Sequence, residues 1–309
     1  MGIPVIIGII IGVIIVVYIL TSFLIAFGFA ARGKGKPAGS PADYGMTYEE
    51  ITFPSTVDNT ELRGWYLTGG GRSTVIIMHG GRANRADKLM GLLELSVDMA
   101  KKGFNVLTMD RRGCGFSALP RYRDRAHFER DFAGAVDYIK QRNGRDEEIY
   151  LFGNSVGAMA AFLYTWEHNG DGIRAIIADS ALESKIGTAK RLLNTGVRGF
   201  TLLAYGALYF GEKCFGMPRY DTIDIVGDIS VPILVVVGDK DRIIPVKAAR
   251  QILEASDKAA DEIVVIPGAA HSCTYRTDPD GYVEKVVSFL NRNNGLSPVA
   301  AREEQPRNR

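Results

Sequence analysis

The chain has 309 residues, of which 46% are apolar and 23% are charged, which is typical of a globular protein with a large core. The net charge of +2 is too small to attract nucleic acid, so no nucleic-acid partner is expected. The three scattered cysteines have no zinc-ligand spacing and the sequence has no phosphate-binding loop of the nucleotide hydrolases, so we expect neither a metal nor a cofactor.

The first segment, residues 3–31, contains no charged side chain and consists almost entirely of apolar residues. About 20 such residues suffice to cross a hydrocarbon core of about 30 Å, so we predict a transmembrane anchor over residues 1–31 that binds the bilayer through residues 3–31. A buried helix of a soluble protein is the weaker alternative, because such helices normally have a polar face. A cleaved signal peptide is the stronger alternative, since Gly28, Phe29 and Ala30 resemble a cleavage site. However, the apolar run is longer than usual for a signal peptide, and no Lys or Arg precedes it.

Three basic residues, Arg32, Lys34 and Lys36, follow the apolar run directly. The positive-inside rule then predicts a single-pass membrane protein with its large C-terminal domain in the cytoplasm. Residues 32–44 are rich in Gly, Pro and Ser and predict a flexible linker between the anchor and the domain.

Residues 45–293 carry a repeating pattern of strands and helices. The first two predicted strands, 46–54 and 61–68, are separated by a turn and form a hairpin. The further strands are predicted at 73–78, 105–109, 148–152, 174–178, 231–237 and 262–266, and the helices at 88–102, 128–142, 155–167, 246–255 and 282–291. This alternation predicts an α/β domain with a mostly parallel sheet covered by helices on both faces.

The alternation is interrupted between residues 181 and 228, where Leu, Tyr, Phe and Gly occur without a strand pattern. We predict a helical insertion there, which is a candidate lid over a site at the strand ends. The polar tail, residues 294–309, is predicted to be disordered.

The sequence Gly153-Asn-Ser155-Val-Gly157 follows a predicted strand and precedes a predicted helix. A strand–turn–helix with this G-x-S-x-G spacing is the setting of a nucleophile elbow, in which a strained turn exposes a serine hydroxyl. Ser155 is therefore the candidate nucleophile. The alternative is a simple turn in which this serine caps a helix.

A serine hydroxyl needs a neighbouring base. His79 and His271 both follow predicted strands, but only His271 comes last in the chain order Ser, Asp, His, and we predict it as the base. Asp241 follows the strand at 231–237 and is the predicted carboxylate that orients the base, whereas Asp179 is a less favoured alternative.

An acyl-transfer reaction also requires donors for the developing oxyanion. The small residues after His79 allow a close approach of the backbone to substrate, and we predict the backbone N–H groups of Gly81 and Val156 as the oxyanion hole. His79 then supports this loop and takes no part in catalysis. A cysteine nucleophile at Cys114 is disfavoured, because this residue follows a strand in a turn without an elbow.

Four ordered motifs make the chain resemble the α/β-hydrolase superfamily over residues 45–293. They are MHGGRANR at 78–85, MDRRGCGFS at 109–117, GNSVG at 153–157, and GDKDRIIP with GAAHS at 238–245 and 268–272. The single anchor and the short lid resemble Bem46-type membrane-anchored hydrolases. The resemblance implies an α/β-hydrolase fold with an eight-stranded sheet, covalent acyl-enzyme catalysis without a cofactor, and triad positions at Ser155, Asp241 and His271.

These features predict a membrane-anchored serine hydrolase that cleaves an ester or thioester, with an acyl or lipid-like small molecule as substrate. Two alternatives stay open: a serine peptidase or acyl-peptide amidase of the same fold, and a non-catalytic binding module tethered to the membrane.

Overall fold

The computed structural model describes residues 2–31, 33, 35–81, 83–196 and 201–294. Eight strands form one sheet, and they are β1 Glu49–Pro54, β2 Glu61–Leu67, β3 Ser73–Met78, β4 Asn105–Asp110, β5 Glu148–Asn154, β6 Ile173–Asp179, β7 Ile233–Gly238 and β8 Glu262–Ile266. Their order in the sheet is β1-β2-β4-β3-β5-β6-β7-β8. The β1–β2 and β2–β4 pairs are antiparallel and all other pairs are parallel. The predicted hairpin and the predicted mostly parallel eight-stranded sheet are confirmed.

Helices cover both faces of this sheet. They are α1 Ile3–Ala30, α2 Leu92–Lys101, α3 Glu129–Asn143, α4 Val156–Glu167, α5 Lys185–Gly196, α6 Thr201–Phe215, α7 Thr222–Ile225, α8 Val246–Ser256, α9 Thr274–Thr277 and α10 Pro279–Arg292. Successive strand residues point to opposite faces. Ile76 of β3 therefore packs in one core with Phe132 of α3, and Ile77 packs in the other core with Phe289 of α10. Because β3 is buried at every position, its whole sequence is apolar or small.

The helix predicted at residues 88–102 begins instead at Leu92. The Asp87 carboxylate accepts hydrogen bonds from the backbone N–H groups of Leu89 and Met90, at 3.0 and 3.3 Å. Gly91 then adopts a left-handed conformation with φ of 68°. An aspartate that binds the backbone in this way stabilises a turn in place of the first helical turn.

The segment between α1 and the domain, which the sequence predicts as a flexible linker, forms hydrogen bonds with the domain at its described residues. The Gly33 N–H donates to the Gly113 carbonyl at 2.9 Å, and the Asn84 amide donates to the Gly35 carbonyl at 2.9 Å. Pro41–Tyr44 forms a short 3₁₀-helix. The described residues of this segment therefore lie along the surface of the domain, close to the end of α1.

Some of the predictions fall outside the described residues. These are the basic residues Arg32 and Lys34, Arg82 in the loop after β3, residues 197–200 of the predicted lid, and residues 295–309 of the predicted disordered tail.

α1 is long and apolar enough to cross a membrane by its length and composition, with a mean hydropathy of 3.2. The predicted lid segment contains α5, α6 and α7, and it connects this helix with the body of the domain. Arg191 of α5 donates a hydrogen bond to the Ile243 carbonyl in the loop after β7. The Tyr18 hydroxyl of α1 donates to the Leu202 carbonyl of α6 at 3.1 Å.

A buried arginine in the loop after β4 ties three segments of the domain together. The Arg112 guanidinium lies 2.7 Å from the Asp131 carboxylate of α3 and 2.8 Å from the Asp58 carboxylate in the β1–β2 turn. It also donates to the Ser55 hydroxyl. The side chains of Arg112 and Asp131 are fully buried, so each charge depends on the other for compensation.

We expect the Arg112→Leu substitution to lower the free energy of unfolding by about 3–5 kcal/mol, because it leaves a buried carboxylate without its cation. Urea unfolding of the detergent-solubilised chain, followed by fluorescence, measures this change. Arg63→Leu is the matched control, since Arg63 forms an exposed ion pair with Glu61 at 2.8 Å and its loss should cost under about 1 kcal/mol. Similar losses in both variants would contradict the structural role of Arg112.

Candidate active site

The turn between β5 and α4 holds Ser155 in a strained conformation. Its φ of 53° and ψ of −115° lie in a region that residues with a side chain rarely adopt. The turn fits because Gly157 comes very close to β3: a Cβ on Gly157 would lie 2.6 Å from the Met78 carbonyl oxygen. The glycine spacing of the motif therefore has a steric cause, and the geometry is that of a nucleophile elbow.

The loops after β7 and β8 bring Asp241 and His271 to this turn. The His271 Nε2 atom lies 3.3 Å from the Ser155 hydroxyl oxygen, and the His271 Nδ1 atom lies 2.7 Å from the Asp241 carboxylate. The Asp241 carboxylate also accepts hydrogen bonds from the backbone N–H groups of Ile243 and Ile244. A carboxylate can only accept here, so His271 Nδ1 carries the proton and Nε2 is free to accept one from Ser155.

The three residues of this group differ in burial. The Asp241 side chain is fully buried, whereas the His271 side chain retains 22% of its exposure. Ser155 is 8% exposed. A buried carboxylate held by two backbone donors fixes the imidazole ring, and the ring itself stays partly exposed.

The two predicted oxyanion donors flank the elbow. Val156 is the first residue of α4, and a helix leaves its first N–H groups without intrahelical partners. Gly80 lies directly against the elbow, because a Cβ on it would lie 2.9 Å from the Ser155 Cβ atom. Gly81 follows it with φ of 36°. The positive end of α4 adds a favourable potential for an anion beside Ser155.

His79 has a different role from His271. Its side chain is completely buried, with Nδ1 2.9 Å from the Gly80 carbonyl and Nε2 accepting the Arg111 N–H at 3.2 Å. Burial, together with the charge of Arg111, lowers the pKa of His79 to about 3. A neutral histidine with both ring nitrogens engaged supports the loop that carries Gly81. His127 binds Glu129, and His168 stacks on Tyr164.

The other two aspartates near the strand ends bind elsewhere. Asp239 accepts the Gly268 N–H at 2.7 Å and stabilises the turn between the two loops. Asp179 accepts hydrogen bonds from the hydroxyl groups of Tyr282 and Thr274. Burial raises the pKa of Asp179 above its ordinary value. Neither carboxylate forms a hydrogen bond to the His271 ring among the described contacts.

Three residues that the sequence did not single out fix the loop that carries His271. The Ser272 hydroxyl donates to the Asn154 side-chain oxygen at 2.8 Å, and the Ser272 N–H donates to the Ser180 hydroxyl at 3.1 Å. Asn154, Ser180 and Ser272 are all buried. These bonds join the ends of β5 and β6 to the histidine loop, and no sequence spacing predicts them.

We expect Ser272→Ala to lower kcat by about 5- to 30-fold and leave KM nearly unchanged, since it removes a buried hydrogen bond of about 1–2 kcal/mol that positions His271. Steady-state kinetics on a short-chain nitrophenyl ester measures this split. Ser288→Ala on the exposed face of α10 is the control and should match the parent. A change in KM alone would contradict the positioning role.

The other reactive side chains are weaker candidates for a catalytic role. Cys114 is buried, and burial raises the pKa of its thiol, which disfavours the thiolate. Among the described residues, no group of three or more His, Cys, Asp or Glu side chains has a metal-binding arrangement.

Two family models match different parts of the chain. Residues 70–205 match the serine aminopeptidase family, and residues 198–292 match the dienelactone hydrolase family. Neither match spans half of the chain.

Individual proteins extend the similarity over most of the length. The uncharacterised protein YfhR of Escherichia coli O157:H7 is 24% identical over 251 residues, which cover 78% of this chain and 80% of YfhR. The α/β-hydrolase domain-containing protein WAV2 of Arabidopsis thaliana is 22% identical over 266 residues, 82% of each chain. Among solved structures, the Pyrococcus furiosus esterase Pf2001 superposes with a TM-score of 0.72 at 23% identity, covering 86% of this chain and 98% of the esterase.

The sheet order, the elbow and these matches agree. The chain has the α/β-hydrolase fold, and the sequences and structures that it matches support a place in the α/β-hydrolase superfamily. The narrower resemblance to Bem46-type hydrolases stays a prediction.

Proposed function

We propose that the protein is a membrane-anchored serine hydrolase that cleaves an ester or thioester bond of an acyl or lipid-like substrate. The observation that carries this proposal is the continuous hydrogen-bonded series from Asp241 through His271 to Ser155, formed at a strained elbow. Fold alone does not define an activity, and it is this arrangement of side chains that supports hydrolysis.

In the proposed reaction, the Ser155 oxygen attacks the substrate carbonyl carbon while His271 Nε2 takes the hydroxyl proton. The Gly81 and Val156 N–H groups donate to the resulting oxyanion, which is worth about 3–4 kcal/mol per donor in such sites. His271 then gives its proton to the leaving alcohol or thiol, and an acyl-enzyme results. Water, activated by the same histidine, attacks this ester and releases the acid and Ser155.

The length and composition of α1 support an anchor, and an anchor would hold the site within reach of substrates dissolved in the bilayer. With basic residues after the helix, the domain is expected on the cytoplasmic side. Protease treatment of intact cells that carry a C-terminal tag tests this topology. Protection of the tag is the expected result, and digestion would place the domain outside.

Amide hydrolysis is a second candidate, and the match of residues 70–205 to the serine aminopeptidase family favours it. The same three side chains would serve, because ester and amide cleavage share the acyl-enzyme step. A panel of nitrophenyl esters of increasing chain length and aminoacyl amides separates the two. Faster turnover of the esters supports the first proposal, and exclusive cleavage of amides contradicts it.

Labelling with a fluorophosphonate tests whether the site is catalytic at all. This reagent reacts with serines that are activated by a neighbouring base, so Ser155 of the native chain should be labelled. Heat-denatured protein is the control and should not react. Absence of labelling on Ser155, under conditions that label a known serine esterase, would favour a non-catalytic binding module.

A further inference from the structure

The C-terminal half of α1 is packed tightly against α6. Ser22, Ala26 and Ala30 of α1 follow one another at four-residue intervals and are buried. Gly206 of α6 lies directly opposite, because a Cβ on it would lie 2.2 Å from the Ser22 hydroxyl oxygen. Small residues on both helices allow this close approach, as is common between helices in membranes.

The two helices run side by side in the same direction. Near the start of α6, the Tyr18 hydroxyl donates to the Leu202 carbonyl. Further along, the rings of Phe23 and Phe210 are 5.5 Å apart in an edge-to-face arrangement. The level of each residue of α6 relative to the membrane is therefore set by the neighbouring residue of α1.

Residues 3–17 of α1 are exposed, and the packing begins only at Tyr18. At 1.5 Å per residue, these roughly 15 residues span about 22 Å. A hydrocarbon core of about 30 Å needs about 20 residues, which extends the membrane segment to the region of Ser22. Since Ser22 touches Gly206, the first half of α6 lies at the level of the hydrocarbon boundary.

The positions of the first charged residues support the same boundary. The α6 segment from Thr201 to Gly211 has no charged side chain, and Glu212 and Lys213 follow directly. Tyr122 in the loop after β4 packs against Phe27 of α1, with ring centroids 6.3 Å apart.

Tyr122 is itself flanked by the exposed residues Arg121 and Arg123. Tyrosine and arginine side chains of this kind are typical of the interface between a bilayer and water. The level of Phe27 therefore corresponds to the headgroups, just beyond the hydrocarbon boundary near Ser22.

The face of α6 opposite its buried residues Ala204 and Gly211 carries an apolar stripe. Leu202, Tyr205 and Tyr209 are 71%, 52% and 59% exposed, and their spacing places them on one side of the helix. A stripe of this kind at the level of the lipid is expected to contact lipid.

We propose that α6 is a second membrane-contacting element, and that Leu202, Tyr205 and Tyr209 enter the same leaflet as the C-terminal half of α1. This proposal rests on the proposed anchoring role of α1. It places the lid against the lipid. Lys190 of α5 lies 5.0 Å from the Tyr205 ring, and Arg191 of the same helix binds the loop after Asp241, so the immersed helix is linked to the active site.

The test uses the full chain in phosphatidylcholine vesicles whose acyl chains carry bromine near the ester end, which quenches tryptophan fluorescence on contact. Tyr205→Trp introduces a reporter on the stripe. Glu284→Trp places a matched exposed reporter on α10, which packs against α2 and α9. Fluorescence of the parent chain, which contains Trp65 and Trp166, supplies the background. Co-flotation with vesicles reports separately on the anchor.

We expect the emission added by Tyr205→Trp to fall by about half or more in brominated vesicles, and that of Glu284→Trp by less than about a tenth. A chain that co-floats with vesicles but shows no quenching at position 205 would overturn the role of α6 and leave the anchor intact. If a Tyr205→Cys variant then forms disulfide-linked dimers that the parent chain does not form, the stripe binds a second copy instead of lipid. A full-length chain that fails to co-float would overturn both the anchor and this inference.

Discussion

Ser155→Ala is expected to lower kcat for ester hydrolysis by about 10⁵- to 10⁶-fold, the largest effect of any single substitution in this protein. The reason is chemical, because alanine has no oxygen to attack the substrate and form the acyl-enzyme. The oxyanion donors and the binding surface stay in place, so a residual rate of about 10³-fold over the uncatalysed reaction should persist. Hydrolysis of a short-chain nitrophenyl ester and fluorophosphonate labelling provide two readouts.

Two control measurements test whether the loss of activity is due to the missing Ser155 hydroxyl. Ser288→Ala, on an exposed face of α10, should keep the activity of the parent chain. The thermal unfolding midpoint of Ser155→Ala should stay close to that of the parent, because the hydrogen bond that it removes is long, at 3.3 Å, and contributes little to stability. A Ser155→Ala variant that retains more than about a tenth of the activity would refute Ser155 as nucleophile.

Most of the sheet could be predicted from the sequence, since the strands are buried and strongly apolar. The bounds predicted for β3 and β8 agree with those observed, because each is a short apolar run between turn residues. The start of α2 could not be predicted in the same way. There the Asp87 side chain competes with the helix for backbone N–H groups, and apolar spacing carries no information about such competition.

In the candidate site, too, some features could be predicted from the sequence and others could not. Ser155, Asp241 and His271 were identified because each follows a strand in an order that defines known hydrolases, and the structure brings their side chains together. The supporting bonds between Asn154, Ser180 and Ser272 join three separate loops. Polar residues at loop positions are too common for such a network to have a recognisable sequence pattern.

The sequence also does not predict that α6 packs against α1. Hydropathy predicts a membrane helix, but small residues such as Ser22 and Ala26 do not stand out in a helix that is apolar on every side. The sequence therefore predicts an anchor joined to the domain by a flexible linker. The packing of α6 along α1 adds to this prediction, because it joins α6 of the predicted lid segment to the predicted anchor helix.

Asp241→Asn is expected to lower kcat by about 10⁴-fold, because it changes the tautomer of His271. Asp241 receives two backbone N–H bonds on one oxygen, and its other oxygen accepts the His271 Nδ1 proton. In the asparagine variant, the oxygen stays with the backbone donors and the NH₂ group faces His271. Nδ1 must then accept, and the proton moves to Nε2, which can no longer take the proton of Ser155.

Asp239→Asn is the matched control for this substitution, because Asp239 lies two residues away and its described side-chain hydrogen bond is to the Gly268 N–H. Its kcat should stay within about tenfold of the parent, because the His271 tautomer is unaffected. The rate of fluorophosphonate labelling at Ser155 should fall in parallel with kcat for Asp241→Asn, since both depend on proton removal by His271. Equal losses in the two variants would point to disruption of the loop after β7. A loss confined to Asp241→Asn would indicate that this carboxylate acts through the histidine, as the hydrogen-bond pattern requires.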